Sequence, residues 1–394
     1  MYSFSNRISA LQPSAIREIL KATSQPGMIP FAAGNPAPEA FPTQAVREIS
    51  ARLLAERPVD VLQYGVTEGY GPLRERVKAY MKDGFACGGP DDDLIVTSGA
   101  QQVVDLAAKV LCNEGDAVIA ETPSFIGSLN TFRSYGLRLR GMPMQADGPD
   151  VAALERLLRE EKNVRLIYVI PNYQNPAGTL MSLEKRREIY ALARRFGVMI
   201  LEDNPYGDLR YEGEALPSIK SMDTDGLVIY AGSFSKILAP GIRVGFALAP
   251  QPVIAKMTVG KQASDVHTPM FSQLLVDEWM ANYDVAGHIK TIRAIYRRKC
   301  AVMCEGLAKA GEGRGLSFVR PRGGIFLWCA LPAEIDMLEF TQTAAVNRVA
   351  VVPGAAFLVE PGERVNAVRL NFSTPTDAQL EEGLAILAEV MKKW

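Results

Sequence analysis

Short, nearly continuous apolar runs alternate with helix-forming segments over most of the chain. Residues 165–170 (RLIYVI) and 198–201 (VMIL) are two such runs, and residues 183–196 between them have helical periodicity. A strand that is covered by helices on both faces needs apolar residues at successive positions, so these runs are typical of buried parallel strands. The alternation predicts an α/β fold with an open, mostly parallel sheet and helices on both faces.

Seven apolar runs are expected to form this large sheet. They cover residues 93–99, 117–121, 137–142, 165–170, 198–201, 227–231 and 244–249. From about residue 286 the order becomes helix–strand–strand–helix–strand–strand–helix, which is typical of an α+β unit. We therefore predict a large domain over residues 35–285 and a smaller domain formed by residues 1–34 and 286–394. Residues 28–33 are expected to be strand-like, and residues 14–23 to form a short amphipathic helix.

Charge and cysteine content exclude several classes of function. The net charge is −1 and the isoelectric point about 6.3, so no basic field is available to attract nucleic acid. The five cysteines form no CxxC pair, and no signal peptide or run of eighteen apolar residues is apparent. We expect a cytoplasmic protein with reduced thiols. The sequence contains only two histidines, which disfavours a histidine-based metal site and a Ser-His-Asp triad. No metal is expected.

Polar side chains follow several of the predicted strands at their carboxyl ends. In open α/β sheets, ligands bind outside these ends, so the polar groups are expected to surround one ligand. The residues concerned are Ser98, Asn175, Asp203, Tyr206 and Lys236.

Residues 231–245 (AGSFSKILAPGIRVG) indicate what that ligand is. A lysine amine forms a Schiff base with an aldehyde, whereas hydroxyls and a guanidinium suit a phosphate. Lys236 stands beside Ser233 and Ser235, and Arg243 follows after a proline-glycine break. Pyridoxal 5'-phosphate carries both an aldehyde and a phosphate. Taken alone, the stretch is equally compatible with a turn that ends in a surface lysine. Motifs elsewhere in the chain are needed to distinguish a cofactor site from such a turn.

The remaining polar groups suit the same cofactor. Asp203 is placed to pair with the pyridine nitrogen and keep it protonated, and Asn175 and Tyr206 to donate to the phenolate oxygen. Phe125 can stack on the ring. The start of the helix at residues 100–112 offers free N–H groups to the phosphate, through Ser98, Gly99, Ala100 and Gln101. Each of these residues alone has an ordinary structural explanation: Asp203 as a helix cap or surface acid, Asn175 as a turn residue and Ser98 as an N-cap. Their occurrence together, in this order along the chain, indicates a cofactor site.

With these motifs in order, the chain resembles the fold-type I aminotransferases of class I/II. It looks closest to the branch with the 2-aminoadipate, aromatic and kynurenine aminotransferases and the catalytic domains of MocR regulators. The resemblance runs from Arg17 to the last helix. Its motifs are Asn175-Pro176-Ala177-Gly178, Asp203-Asn204-Pro205-Tyr206, Gly232-Ser233-Phe234-Ser235-Lys236 and Arg369-Leu370-Asn371-Phe372.

The resemblance implies a homodimer with shared active sites. Tyr70 matches a tyrosine that the neighbouring subunit contributes to the phosphate, and Arg369 matches the arginine that binds the substrate α-carboxylate. Gly34 and Asn35 match the loop that closes over the substrate. Arg17, on the N-terminal helix, is either a solvated surface residue or the partner of a distal substrate carboxylate. Phe125 departs from the common tyrosine, which removes hydroxyl contacts but keeps the stacking.

The resemblance also implies a ping-pong reaction of amino acid metabolism. Lys236 removes the Cα proton of the bound amino acid, a 2-oxo acid leaves, and a second oxo acid, expected to be 2-oxoglutarate, takes the amino group. A β-lyase acting on cysteine conjugates remains an alternative on the same fold. A transcription regulator would need a DNA-binding module ahead of the catalytic part, and the motifs already begin within the first 40 residues. A dinucleotide enzyme is disfavoured, because the GxGxG at residues 311–315 follows a helix.

Overall fold

The computed structural model describes residues 2–9, 11, 27–360 and 362–394. Within these residues the chain forms two sheets, one of eight strands and one of four. The strands of the large sheet are β1 (Asp92–Thr97), β2 (Ala117–Thr122), β3 (Arg138–Gln145), β4 (Gly148–Pro149), β5 (Val164–Val169), β6 (Met199–Asp203), β7 (Val228–Ser233) and β8 (Gly245–Pro250). The small sheet contains β9 (Ser317–Phe318), β10 (Phe326–Ala330), β11 (Val352–Pro353) and β12 (Ala367–Asn371).

The large sheet has the strand order β1-β8-β7-β6-β5-β2-β3-β4. Strands β7, β6, β5, β2 and β3 run parallel, so their carboxyl ends meet at one edge, and β8 runs antiparallel to β7 and to β1. The predicted α/β class is confirmed, and each of the seven predicted strands is present. The sheet has eight strands rather than seven, because β4 adds two residues at the edge of β3. Such a short segment leaves no periodic signal in the sequence.

Helices cover the sheet and connect the two sheets. They are α1 (Asn6–Ser9), α2 (Thr43–Glu56), α3 (Pro58–Leu62), α4 (Gly71–Phe85), α5 (Ala100–Leu111), α6 (Ile126–Ser134), α7 (Val151–Glu160), α8 (Leu183–Phe196), α9 (Gln251–Gln262), α10 (Met270–Asn282), α11 (Val285–Ala310), α12 (Met337–Val346) and α13 (Asp377–Met391). Helix α8 has its predicted bounds, residues 183–196, and it begins at a capping side chain, since Ser182 Oγ accepts from Lys185 N. Helix α7 begins in the same way at Asp150, which accepts from Ala153 N. Among the helices described, none is both long and apolar enough to cross a lipid bilayer.

The small sheet has the order β11-β12-β10-β9 and is antiparallel throughout. Its elements follow α11 in the predicted order, whereas the domain boundaries at residues 34/35 and 285/286 stay a prediction. The strand-like segment at residues 28–33 was predicted wrongly, since it makes only a single bridge between Ile29 and Val349. Pro30 follows directly and has no N–H to continue a ladder. The helix expected at residues 14–23 lies outside the described residues.

Candidate active site

A cavity of about 370 Å³ lies at the edge where the parallel strands end. The predicted site residues that line it are Gly34, Asn35, Ala100, Gln101, Phe125, Asn175, Asp203, Tyr206, Ser233, Ser235, Lys236, Arg243 and Arg369. A larger crevice of about 780 Å³, bordered by α4, α10 and α11, contains none of the predicted residues. We take the smaller cavity as the candidate active site, because a lysine, two arginines and an aspartate converge on it.

Asp203 ends strand β6 and is buried. Its Oδ2 accepts a hydrogen bond of 2.7 Å from the Tyr168 hydroxyl, which itself accepts one of 2.8 Å from Ser128 Oγ. The second oxygen, Oδ1, has no hydrogen-bond partner among the described residues. Burial raises the pKa of Asp203 to about 6, and the bond from Tyr168 opposes this rise. Because a buried acceptor without a partner is costly, Oδ1 marks the place where a ligand donor binds.

Lys236 follows strand β7, and its Nζ donates to the carbonyl oxygen of Gly34 at 2.8 Å. Burial, and then the positive charges of Arg369 and Arg243, lower the pKa of Lys236 to about 8. A substantial fraction of this amine is therefore neutral near physiological pH. The neutral amine is the form that attacks a carbonyl carbon and that accepts a proton.

Two hydroxyls and a guanidinium also line the cavity, from Ser233, Ser235 and Arg243. Ser235 N and Oγ lie 3.1 and 2.9 Å from Ser233 Oγ. Arg243 adopts a left-handed backbone conformation, with φ of 55°, and its Nη2 donates to Ser98 O at 3.0 Å. Gly99 lies against this guanidinium: a Cβ there would be 2.4 Å from Arg243 Nη2. The start of α5 at Ala100 follows directly, so N–H groups and positive charge face the same space.

Three predicted cofactor residues do not line the cavity of this chain. Ser98 was expected beside the phosphate at the start of the helix, but it does not line the cavity, and its Oγ donates to Asp265 Oδ2 at 2.9 Å. The backbone of Gly99 packs against the Arg243 guanidinium. Tyr70 precedes α4, and its hydroxyl accepts from Arg57 Nη2 at 3.0 Å. The prediction places Tyr70 in the site of a neighbouring subunit, which a single chain does not test.

Arg369 projects from strand β12 of the small sheet and is 3% exposed. Its guanidinium carbon lies 4.3 Å from the ring centroid of Phe326 and 4.9 Å from that of Phe357. Nη1 donates to Asn175 Oδ1 at 2.9 Å and Nη2 to Ala32 O at 2.7 Å. Among the described residues Nε has no partner, and burial lowers the pKa of Arg369 to about 10. This desolvated cation suits a carboxylate.

A buried polar cluster holds the turn that carries Asn175. Gln174 Nε2 donates to Glu121 Oε2 at 3.0 Å and to Pro123 O at 2.8 Å, and its Oε1 accepts from Ala177 N at 2.8 Å. Burial raises the pKa of Glu121 to about 8, so this carboxyl is largely protonated at neutral pH. Burial likewise raises the pKa of Tyr206, which keeps its hydroxyl a hydrogen-bond donor.

Phe125, Gly34 and Asn35 complete the walls. Phe125 lies at the start of α6, and a Cβ at Gly127 would be 2.6 Å from its ring. Asn35 O accepts from Ser373 Oγ at 2.6 Å, which ties this loop to the segment that follows β12. Arg17, the remaining predicted site residue, lies outside the described residues, and its role stays a prediction.

The residues that support the predicted ones carry little signal in the sequence. Tyr168, Phe326 and Phe357 are aromatic residues that resemble ordinary core positions in sequence. Glu121 left a weak signal, as an acid at the end of the apolar strand AVIAET.

Comparison with known proteins identifies the family of the chain. Residues 26–387 match the family described as aminotransferase class I and II. The chain is 36% identical over 394 residues to aromatic-amino-acid aminotransferase 1 of Thermococcus litoralis, covering 99% of this chain and 94% of that protein. It is 37% identical over 394 residues to a 2-aminoadipate transaminase of Thermus thermophilus, covering 99% and 96%.

A solved structure extends the likeness to the fold. The alpha-aminoadipate aminotransferase of Thermus thermophilus, complexed with N-(5'-phosphopyridoxyl)-L-leucine, superposes with a TM-score of 0.91 at 36% identity over 99% of this chain and 97% of that one. The chain belongs to the class I and II aminotransferases. The resemblance drawn from the motifs, the fold class and the assignment as a transferase enzyme are confirmed.

Proposed function

We propose that the protein is a pyridoxal phosphate-dependent aminotransferase that moves the amino group of an α-amino acid to 2-oxoglutarate. The observation that carries the proposal is the convergence of Lys236, Asp203 and Arg369 on one cavity. The relatives are named for aromatic amino acids and 2-aminoadipate, and a solved relative holds a phosphopyridoxyl derivative of leucine. We therefore include acidic, aromatic and branched amino donors in the proposal.

The side chains that line the cavity suit the ring nitrogen, the aldehyde and the phosphate of the cofactor. Asp203 Oδ1, which has no partner within the described part of the chain, would accept from a protonated pyridine nitrogen, and Lys236 would supply the amine for the aldehyde. Ser233, Ser235, Arg243 and the start of α5 would hold the phosphate. When bound, the cofactor supplies an electron sink that makes the Cα–H bond of an attached amino acid acidic.

The side chains of this protein then have separate tasks. Arg369 binds the α-carboxylate through N–H groups that face the cavity, and its buried position excludes competing water. Lys236 would accept the Cα proton as a neutral amine and then donate it again as an acid. Asn175 and Tyr206 donate hydrogen bonds to the cofactor's phenolate oxygen, and Asp203 keeps the ring nitrogen protonated.

A substrate panel tests the proposal. The purified protein is incubated with single amino acids and 2-oxoglutarate, and glutamate is measured. Glutamate formation that depends on pyridoxal phosphate is expected with at least one acidic, aromatic or branched donor. Pyruvate and ammonia formed from cysteine conjugates, without glutamate from any donor, would instead assign a β-lyase.

Arg369→Lys is expected to raise KM for every amino donor and for the oxo acid. Lysine cannot reproduce the two parallel hydrogen bonds of a guanidinium to a carboxylate, and it loses the stacking between Phe326 and Phe357. A charged hydrogen bond contributes about 1.5–3 kcal/mol, so kcat/KM should fall roughly 10- to 100-fold. Steady-state kinetics with two donors and one acceptor measures this, and an unchanged KM would assign the carboxylate to another group.

A homodimer with shared sites is also proposed, on the match of Tyr70 to a tyrosine that crosses between subunits. Mixing inactive Tyr70→Ala with inactive Lys236→Ala protein should restore part of the activity, because one site of each hybrid dimer is then intact. Turnover is measured after subunit exchange, which differently tagged chains demonstrate. If hybrids form and stay inactive, Tyr70 acts within its own subunit.

The cysteines favour a reducing compartment. Cys87, Cys112, Cys300, Cys304 and Cys329 are free thiols. Disulfides persist mainly in oxidising compartments, so five free thiols are what a cytoplasmic protein carries. We propose the cytoplasm as its location.

A further inference from the structure

Three buried side chains from three different elements form one line of hydrogen bonds. Ser128 lies on α6, Tyr168 on β5 and Asp203 at the end of β6. Ser128 Oγ donates to Tyr168 Oη at 2.8 Å, and Tyr168 Oη donates to Asp203 Oδ2 at 2.7 Å. Strand pairing places Tyr168 opposite Leu201, so Asp203 is its diagonal neighbour on the same face. These hydrogen bonds reach Asp203 at Oδ2, and Oδ1 is the oxygen that remains for a ligand.

The direction of these bonds follows from the chemistry of the groups. An ionised carboxylate only accepts, so the tyrosine hydroxyl has to donate to it, and the lone pair of that hydroxyl accepts from serine. Burial and the charge of Asp203 raise the pKa of Tyr168 well above its usual value. Tyr168 therefore keeps its proton over the whole working pH range. The ring is fixed as well, packed edge-to-face on Phe132 at 5.5 Å between centroids.

We propose that Tyr168, oriented by Ser128, is the positioning residue that keeps Asp203 ionised and leaves Asp203 Oδ1 free for the ligand. Burial alone favours the neutral carboxyl, which cannot keep a ring nitrogen protonated. The donor from Tyr168 offsets this without adding a charge to the cavity. The part of the inference that concerns the ring nitrogen rests on the proposed function, whereas the part that concerns the charge of Asp203 does not.

Other titratable groups lie around Asp203, and each has a defined protonation state or charge. Burial, together with the charge of Asp203, raises the pKa of Glu121 on β2 to about 8, so Glu121 is mostly neutral. Tyr206 follows β6 and is itself kept protonated by burial. Lys236 and Arg369 line the same cavity with positive charge. Within the described residues, Tyr168 is the one group that donates a hydrogen bond to Asp203.

The test is Tyr168→Phe in the full-length protein, which removes the hydroxyl and keeps the ring. The carboxyl ¹³C shift of Asp203 is followed against pH in cofactor-free protein and is assigned by its absence from Asp203→Asn. Loss of a charged hydrogen bond should raise the pKa of Asp203 by about 1–2 pH units, or 10- to 100-fold in the protonation equilibrium. In the holoenzyme, the pH below which cofactor affinity falls should move upward by the same amount. The donor KM should change little, since Arg369 is untouched.

Tyr135→Phe is the matched control. Tyr135 Oη also donates to an aspartate, Asp105 Oδ1 at 2.9 Å, but it lies outside the cavity lining. This control should leave the pKa of Asp203 unchanged. Ser128→Ala should shift the pKa in the same direction by less, and it provides a second measurement if Tyr168→Phe does not fold.

Two outcomes separate the inference from the proposed function. An Asp203 pKa that is the same in wild type, Tyr168→Phe and Ser128→Ala overturns the inference, even if the enzyme transaminates. A raised pKa in a protein that binds no pyridoxal phosphate supports the role of Tyr168 and overturns the proposed function.

Discussion

Lys236→Ala is expected to reduce turnover by at least about a thousandfold. The lysine is both the group that attacks the cofactor aldehyde and the base that takes the Cα proton, and a positioned base alone contributes about 10²- to 10⁴-fold. Alanine has neither function, and among the described residues the side chain loses one hydrogen bond, to Gly34 O. Turnover and the visible absorption of the bound cofactor measure the result.

Covalent attachment distinguishes this prediction from a general loss of structure. Borohydride reduction of the wild-type holoenzyme should fix the cofactor to a peptide that contains Lys236, and Lys236→Ala should retain none after denaturation. Lys256→Ala, at an exposed position on α9, is the control and should behave as wild type. Cofactor fixed to another lysine would contradict the assignment.

The lowered pKa of Lys236 gives this reaction a pH dependence. Only the neutral amine attacks the aldehyde, and the pKa of the lysine is about 8. The rate at which cofactor-free protein takes up pyridoxal phosphate covalently should therefore rise as the pH increases through about 8 and level off above it. A rate that keeps rising toward pH 10 would indicate an ordinary, solvated lysine.

Asp203→Asn is expected to lower kcat by several orders of magnitude while the protein remains folded. The amide keeps the size of the side chain and still accepts from Tyr168, but it carries no charge to hold a proton on the ring nitrogen. Interactions that act mainly in the transition state appear in kcat rather than KM. Steady-state kinetics and the cofactor content of the purified variant measure the effect.

Asp208→Asn is the matched control for this loss of charge. Asp208 also accepts from a tyrosine, at 2.6 Å from Tyr80, yet it lines the larger crevice instead of the site. Its activity should stay within a few-fold of wild type. An Asp203→Asn enzyme that is equally active would remove Asp203 from the cofactor site.

The sequence predicted the large sheet well because buried parallel strands are apolar at nearly every position. Strand β5, predicted at residues 165–170, is Val164–Val169, and the helix predicted after it at residues 183–196 is Leu183–Phe196. The segment at residues 28–33 is also apolar, but it contains Pro30 and forms a single bridge. Whether an apolar run forms a ladder depends on which backbone partner reaches it, and the sequence does not contain that information.

The site was predictable where a residue type has few other uses at a strand end. Lys236, Asp203 and Asn175 fall in this group, and all three line the cavity. Ser98 illustrates the limit, because its hydroxyl is taken by Asp265, a residue far along the chain. Phe326 and Phe357 illustrate another limit, since an aromatic residue that holds an arginine looks in sequence like one that fills a core.

The position of Arg369 near the end of the chain has a consequence for biosynthesis. The part of the chain from β1 to β8 leaves the ribosome before β12, and it contains the lysine, the aspartate and the hydroxyls that line the cavity. Domains generally fold in the order in which they are synthesised. A nascent chain would thus complete the cofactor half of its pocket while still unable to select an amino acid, and vitamin-derived cofactor present during translation could bind and stabilise that half before the substrate arginine is made.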